Sequence, residues 1–564
     1  MMRRLISFLL AAVLLGGCSG VTPTARSVTA TAAPPATTST AVPTVTLTAT
    51  ATQTPKQLNW WDKTVFYEIF VRSFYDSNGD GIGDFNGITQ KLDYLNDGNP
   101  NTTSDLGIGG IWLMPINPSP SYHGYDVTDY YTVNPAYGTM DDFKRLLAEA
   151  HKRGIKVILD LVLNHTSSQH PWFEQANSDP QSEKRDWYIW SPTNPGYLGP
   201  FGVAWHPGKT GFYYGMFSSS MPDLNYNNPA VTNEMENVVK FWLDDVGVDG
   251  FRIDAAKHLI EEGQKQENTQ STHVWFKGFY KAYKADNPNA YTVGEVAAST
   301  ARLVATYTGD QMDQVFNFEL ASAMVSSARG EAASSVTSAI KFVQQDMPSW
   351  EFATFLTNHD QNRVMSTLGG NVNRAKVAAS LLLTLPGTPF LYYGEETGMQ
   401  GQKPDEDIRR PMQWSGEAHG GFTTGTPWRE VGDNYAQANV SAEEKDPDSL
   451  LSHYRSLIAL RSAHPALQSG GLTLLATGNP GVYGILRTGE SETILVLVNL
   501  TKAAVSDYAL SLDTTALAEG AYQLESLLGE MNAGSLSVAG GTFSNFKPVG
   551  TLAAYSTYIF KLNH

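Results

Sequence analysis

Residues 156–165 read Lys156-Val-Ile-Leu-Asp160-Leu-Val-Leu-Asn164-His165, an apolar, β-branched run that ends in polar residues. From Trp60 onward such runs alternate with amphipathic helical stretches, the pattern of βα units around a parallel sheet. Eight strands are expected, at 65–71, 110–114, 156–163, 250–254, 291–295, 314–318, 353–357 and 390–393, with helices such as 141–153 and 233–246 between them. Eight strands in this order predict an α/β fold, a closed (β/α)8 TIM barrel. After the third strand, residues rich in Pro, Gly, Trp and Tyr precede the next helix, too many for a barrel loop, and are read as an inserted domain B. A helix at 450–463 closes the barrel. Strand-like runs after it (482–487, 493–499, 554–562) predict a C-terminal antiparallel β-sandwich. The expected division is barrel at 57–163 and 228–466, domain B at 164–227 and the sandwich at 467–564.

In such a barrel, polar residues at the C-terminal strand ends face the catalytic mouth, whereas strand interiors pack. Four ends are densely polar: Asp160 to His165, Gly250-Phe-Arg252-Ile-Asp254-Ala-Ala-Lys257-His258, Val293-Gly-Glu295 and Thr357-Asn358-His359-Asp360. Arg252 and Asp254 lie two apart on one strand, so their side chains share a side. The guanidinium is expected to lower the pKa of Asp254 and keep it ionised as a nucleophile. Glu295 ends an apolar strand and is the candidate proton donor, its pKa raised by burial and by the charge of Asp254. Retention of configuration requires the two carboxyl groups to be about 5–5.5 Å apart. Asp360 suits hydrogen bonding to sugar hydroxyls as the ring flattens towards an oxocarbenium ion, with His165 and His359 placed to donate to the same sugar.

A chain of 564 residues exceeds the ~250–300 at which single cores stop growing, so several domains are expected. A formal net charge of −17 disfavours a nucleic-acid surface, which needs Lys and Arg to neutralise phosphates. The start, Met1-Met2-Arg3-Arg4 followed by an apolar run to Leu15, is an export signal, with an h-region too short to span a membrane. It ends in Leu15-Gly16-Gly17-Cys18, which resembles a bacterial lipobox, and Cys18 is the only cysteine in the chain. Residues 1–18 are therefore expected to be a lipoprotein signal with Cys18 lipidated, placing the protein at the outer face of the cell membrane. Ordinary cleavage would give a secreted form. Residues 19–56, mostly Thr, Ala, Pro, Val and Ser, form a tether reaching up to ~100 Å at ~3.1 Å per residue.

These four segments, with Met221-Pro-Asp-Leu-Asn225 before the second, resemble the sequence regions of the α-amylase family, glycoside hydrolase family 13, over about residues 60–564. The resemblance implies a barrel with domains B and C and double displacement on α-glucosidic bonds. It makes Asp254 the nucleophile, Glu295 the proton donor and Asp360 the stabiliser, with Arg252, His165 and His359 around the sugar. Tyr122-His123-Gly-Tyr125-Asp126 is similar to the segment that supplies a stacking ring, here Tyr125, and hydroxyl contacts from His123. Lys257 and His258 resemble the pair that binds the leaving side of the chain.

Asp76-Ser-Asn78-Gly-Asp80-Gly-Ile82-Gly-Asp84 sets oxygen side chains at alternate positions, like the first part of an EF-hand loop, although Gly87 replaces its twelfth-position Glu. Hard oxygens select Ca²⁺, and the resemblance implicates Asp76, Asn78, Asp80, the Ile82 carbonyl and Asp84 in a stabilising site. It further implies a second calcium, between barrel and domain B, involving Asn164. Ala255, where relatives preferring α-1,6 bonds tend to carry Val, favours α-1,4 cleavage. The readings are an endo-acting α-amylase on starch or glycogen; a cyclomaltodextrinase, α-glucosidase or 4-α-glucanotransferase; and a non-catalytic carbohydrate-binding relative. The intact Asp254, Glu295 and Asp360 disfavour the last. The expected partner is an α-glucan, the membrane is met only through the N-terminal lipid, and a monomer is expected.

Overall fold

A computed structural model describes residues 58–564. The export signal, the lipidation of Cys18 and the 19–56 tether lie outside the described residues. Among the described residues, no helix is long and apolar enough to cross a membrane.

Eight parallel strands close into a barrel: β1 (Phe66–Ile69), β2 (Gly110–Leu113), β3 (Lys156–Leu161), β4 (Gly250–Ile253), β5 (Tyr291–Gly294), β6 (Gln314–Phe316), β7 (Phe352–Thr354) and β8 (Thr388–Tyr392), with β8 pairing back to β1. All eight expected strands form, and each stops one to three residues early. Asp254 and Glu295 fall just past their strands while still donating backbone N–H groups to Leu161 and Ile253. Their side chains thus leave the ladder at the mouth. Inside the barrel, Phe66, Trp112, Ile158, Tyr291, Val293, Phe316 and Phe390 fill the lumen, making it a packed core. Gly250 begins β4 because a Cβ there would lie 2.0 Å from the Tyr291 carbonyl oxygen.

The expected helices appear as Met140–Lys152, Pro229–Lys240 with a π turn at Phe241–Val246, and Leu450–Ala463. Thr139 and Asp142 form a reciprocal capping box on the first, satisfying N–H groups that a helix start leaves free. Between β3 and Pro229, the insertion carries a helix (Pro171–Ser178), a three-stranded sheet (Trp190–Ser191, Gly211–Tyr214, Trp205–Gly208) and a small hairpin (Leu198–Gly199, Gly202–Val203).

The C-terminal part is a six-stranded antiparallel sheet. Its strands are β9 (Gly471–Leu474), β10 (Val482–Thr488), β11 (Thr493–Asn499), β13 (Gly520–Ser526), β14 (Leu536–Val538) and β16 (Thr557–Asn563), in the order β9-β10-β11-β16-β13-β14. The second layer is smaller than a full sandwich face, only the two-stranded β12 (Leu510–Leu512) and β15 (Phe543–Phe546), packed through Leu510, Leu512 and Phe543 against Leu486, Leu495 and Phe560.

Two buried arginines without carboxylate partners fasten the closing helix and the sheet to the barrel. Arg461 donates to the carbonyls of Leu383, Leu385 and Gly387 (3.0, 3.0 and 2.6 Å), and Arg487 to those of Thr384 and Gly470 (2.5 and 3.0 Å). Leu383 and Thr384 end helix Val372–Thr384, where free carbonyls and the negative pole of the helix dipole favour a cation. Arg461→Ala leaves three buried carbonyls unpaired and is expected to cost about 3 kcal/mol. Spread over an unfolding entropy of ~1 kcal/mol/K for a chain of this size, that lowers the midpoint by about 3 °C in differential scanning calorimetry. An unchanged midpoint would contradict this role.

Candidate active site

Three strand ends converge on one guanidinium. Asp160 on β3 stands opposite Arg252 on β4 in the sheet register. Arg252, 1% exposed, donates from Nη1 to both oxygens of Asp160 (2.8 and 3.0 Å) and to Asp254 Oδ1 (2.5 Å), and from Nη2 to Glu295 Oε2 (2.7 Å). The guanidinium carbon lies 5.1 Å from the Trp112 ring centroid. Ala255 adopts the left-handed conformation (φ 46°), unusual for a residue with a side chain, and its N–H reaches Glu295 Oε2 at 3.1 Å. Glu295 Oε2 therefore has two N–H donors and Asp254 Oδ1 has Arg252. Glu295 Oε1 and Asp254 Oδ2 are left for a substrate.

Burial raises the pKa of Asp254, contrary to the expectation from Arg252 alone: the low dielectric outweighs the guanidinium. Glu295 is also raised, first by burial, against Arg252 and with the added charge of Asp254 and Asp360. The neighbours of the two differ: Asp254 has Arg252 and His359 pulling it down against Asp360, whereas Glu295 has Arg252 and the Ala255 N–H against Asp254 and Asp360. Asp160, fully enclosed, is pushed up to about 7 by burial, against Arg252.

A second layer fixes Asp360. His359, fully buried, bonds Glu68 at the end of β1 through Nδ1 (2.5 Å), while Nε2 meets the Tyr125 hydroxyl (2.7 Å) and Asp360 (3.2 Å). Arg409 donates to Asp360 Oδ1 at 2.8 Å. Burial alone would lower the pKa of His359, but Asp360 and Glu68 raise it to about 10. The His359 and Arg409 cations in turn hold Asp360 far below the usual carboxylate range despite desolvation. The side chain of Asp360 remains 46% exposed, so it stands anchored at the mouth.

Tyr125 is pinned by its hydroxyl to Asp160 (3.0 Å) and His359, and its ring stacks on the His359 ring at 16°. His123 Nδ1 accepts the Tyr125 N–H. His165 is brought to the site with its ring nitrogens 3.1 Å from two acceptors, Asn164 Oδ1 and the Tyr125 carbonyl, and burial lowers its pKa to about 4, so the neutral ring has one N–H and donates to one of them. His165 and His359 thus position neighbours. Lys257 pairs with Glu267 (2.9 Å), and His258 Nδ1 donates to the Gln266 carbonyl. Glu68 and Arg409 are absent from the residues singled out in the sequence, and Asp160 was noted there only as part of a polar strand end, with no role of its own. The strand-end position of Glu68 and Asp160 was a usable signal, but Arg409 lies in a loop with no local mark.

In the 76–84 loop, side-chain oxygens of Asp76, Asn78 and Asp80 each accept the N–H two residues on, at 2.8–3.0 Å, curling the chain on itself. Asp76 also takes N–H groups of Gly79 and Gly81 and the Thr423 hydroxyl, which together hold it below its ordinary pKa although burial opposes this. Asp84 caps helix Phe85–Gln90. A second acidic pair lies beside Asn164. Asp223 Oδ2 and Glu261 Oε1 are buried without hydrogen-bond partners, burial and mutual repulsion push Asp223 well up, and burial pushes Glu261 to about 8. Among the described residues, no three His, Cys, Asp or Glu side chains group as a metal site. An ion at either place would draw on Asn side chains and main-chain carbonyls as well. The hard-oxygen donors at both places suit Ca²⁺.

An acid-lined mouth on a (β/α)8 barrel, with two carboxyl groups on one guanidinium and a third across the opening, is the site of a glycoside hydrolase. Residues 68–470 match the family model described as the alpha amylase catalytic domain, and the chain belongs to the α-amylase family. Alpha-amylase 3 of Dictyoglomus thermophilum is 42% identical over 449 residues, 78% of this chain and 86% of that protein. An oligo-1,6-glucosidase of Heyndrickxia coagulans is 35% identical over 527 residues, 79% of this chain and 93% of that protein. The crystal structure of an alpha-amylase from H. orenii, 42% identical, superimposes with a TM-score of 0.78 over 89% of this chain and 99% of that one.

Because the folded-state pKa of His359 is raised from 6.5 to about 10, the stability its cation contributes is complete below pH 6.5 and is lost as pH rises through 10. Glu68→Gln removes one of its two anionic partners. The alkaline limb of thermal stability and of kcat/KM should then move to lower pH, with kcat/KM at pH 7 at least tenfold down. A variant with an unshifted alkaline limb would contradict the coupling.

Proposed function

We propose that the protein is an endo-acting hydrolase of α-1,4-glucosidic bonds in starch, glycogen and maltooligosaccharides, working with retention. The observation that carries this reading is the pairing of two carboxyls on Arg252, Asp254 through Oδ1 and Glu295 through Oε2, which holds both at the mouth and leaves the second oxygen of each for a nucleophile and a proton donor. In the first step Asp254 Oδ2 attacks the anomeric carbon, the glycosidic bond breaks, and Glu295 passes its proton from Oε1 to the departing oxygen. In the second, Glu295 takes a proton from water, whose oxygen replaces Asp254 at that carbon and frees the carboxylate. Asp360 accepts hydrogen bonds from the hydroxyls of the bound sugar, and these strengthen as the ring flattens. Tyr125 offers its ring to the sugar face, His123 a hydroxyl contact, and Lys257 and His258 border the departing chain.

The 42% identity to a protein named alpha-amylase and Ala255 after the nucleophile support this specificity. The second reading, an enzyme of short or cyclic oligosaccharides such as a cyclomaltodextrinase, α-glucosidase or 4-α-glucanotransferase, is favoured by the 35% identity to an oligo-1,6-glucosidase. Lipidation of Cys18 and the tether would hold the enzyme outside the membrane within reach of a polymer. Calcium would be held by Asp76, Asn78, Asp80, the Ile82 carbonyl and Asp84, and a second ion by Asn164, Asp223 and Glu261. These ions would supply structural charge, not chemistry.

Soluble starch, β-cyclodextrin and maltotriose separate the readings. Rapid shortening of starch with slow cyclodextrin opening is expected, with an α-anomeric product by NMR and a loss of at least 10³-fold in kcat for Asp254→Asn. Faster cyclodextrin opening, or products longer than maltotriose, would favour the second reading, and a β-anomeric first product would rule out double displacement. For the metals, atomic absorption should find two calcium ions per chain, falling to one in Asp76→Asn and in Asp223→Asn. Chelation should lower the unfolding midpoint and Ca²⁺ restore it. A calcium-free chain with an unchanged midpoint would refute both sites.

A further inference from the structure

Of the eight large apolar side chains exposed among the described residues, three lie in one six-residue hairpin of domain B: Leu198 (66%), Phe201 (60%) and Val203 (62%). The strands Leu198–Gly199 and Gly202–Val203 pair in register, so residues 200 and 201 form the tip. An apolar tip held in water marks a binding edge more often than a packing error. The Phe201 ring lies nearly parallel to Phe217 (4.9 Å between centroids, 25°), and Phe217 meets the rings of His165 (5.2 Å) and His258 (6.3 Å) edge-on. Phe201 itself is 5.9 Å from the His258 ring. Two phenyl rings thus continue the wall of the site outward.

The hairpin is tied to the segment that follows Asp254. Gln266 Nε2 donates to the Leu198 carbonyl (3.1 Å), the Tyr214 hydroxyl donates to Gln266 Oε1 (2.7 Å), and the Gln266 carbonyl accepts from His258 (3.0 Å). That segment also borders the proton donor, since Ala255 N–H reaches Glu295 Oε2 and Ala256 N–H the Glu295 carbonyl. A proton donor faces the oxygen that departs. A shelf beside it therefore meets the departing side of the substrate, whereas Tyr125, His359 and Asp360 surround the retained side.

We propose that Phe201, backed by Phe217, is a specificity-determining platform on which an α-1,4-linked glucose unit of the departing chain stacks. This inference rests on the hydrolase reading above. The flat apolar face of a glucose ring covers a phenyl ring well, and binding there, remote from the reacting carbon, favours long chains over short ones. The same platform would hold the water-competing acceptor sugar during transfer to another chain.

The test compares wild type, Phe201→Ala and Phe201→Trp on maltoheptaose and on α-maltosyl fluoride, whose leaving group is a single atom with no sugar to stack. Phe201→Ala should lower kcat/KM on maltoheptaose about tenfold, chiefly through KM, with hydrolysis of the fluoride within twofold of wild type and Phe201→Trp recovering most of the loss. Equal losses on both substrates, or no loss on maltoheptaose, would overturn the platform. Wild type inert on both substrates would instead overturn the hydrolase reading itself, and the two failures are thereby told apart.

Discussion

The site depends on one buried cation. Arg252 is surrounded by Asp160, Asp254 and Glu295, three carboxyl groups brought from three adjacent strands, so full ionisation would leave two surplus negative charges in a nearly waterless space. Desolvation makes that arrangement costly, and protons must be retained somewhere in the set. Burial raises the proton affinity of all three, and Asp160, the most enclosed, is pushed up to about 7. The same guanidinium thus orders Asp254 and Glu295 side by side, which a single Arg–Asp pair would not accomplish.

Around this centre, His359 does for Asp360 what Arg252 does for Asp254, with an opposite outcome. Asp360 sits at the opening between two cations, His359 and Arg409, and remains ionised. Asp254 and Glu295 lie deeper and compete for one guanidinium. Burial therefore raises the proton affinity of Asp254 and Glu295, while two cations lower that of Asp360 beside them. Glu68 extends the chain of charges back to the first strand, so the electrostatics of the mouth reach from β1 through β7.

Much of this was legible because a parallel barrel places strand ends at one mouth. The runs ending at Asp254, Glu295 and Asp360 could be ordered around a ring before any coordinates. The elements lost were those whose role comes from distant partners. Arg409 meets Asp360 across 49 residues, and Glu68 meets His359 across 291. Asp223 was visible in Met221-Pro-Asp-Leu-Asn225, yet only burial beside Glu261 reveals its unpaired oxygen. The pKa of Asp254 was misjudged for the same reason, since spacing reveals the neighbouring charge and not the loss of water.

The sequence by itself determined the barrel, the order of its eight strands and the placing of Asp254, Glu295 and Asp360 at its mouth, because alternation of apolar runs with polar ends is a local property. Tertiary structure alone decided which groups share the Arg252 guanidinium, which histidine nitrogens are already engaged, and how far the C-terminal sandwich's second layer extends. It also decided that a hairpin from the inserted domain reaches the wall of the site. Those outcomes depend on closure of the barrel and on packing between residues hundreds of positions apart, where dielectric and contact arise only once the chain has folded.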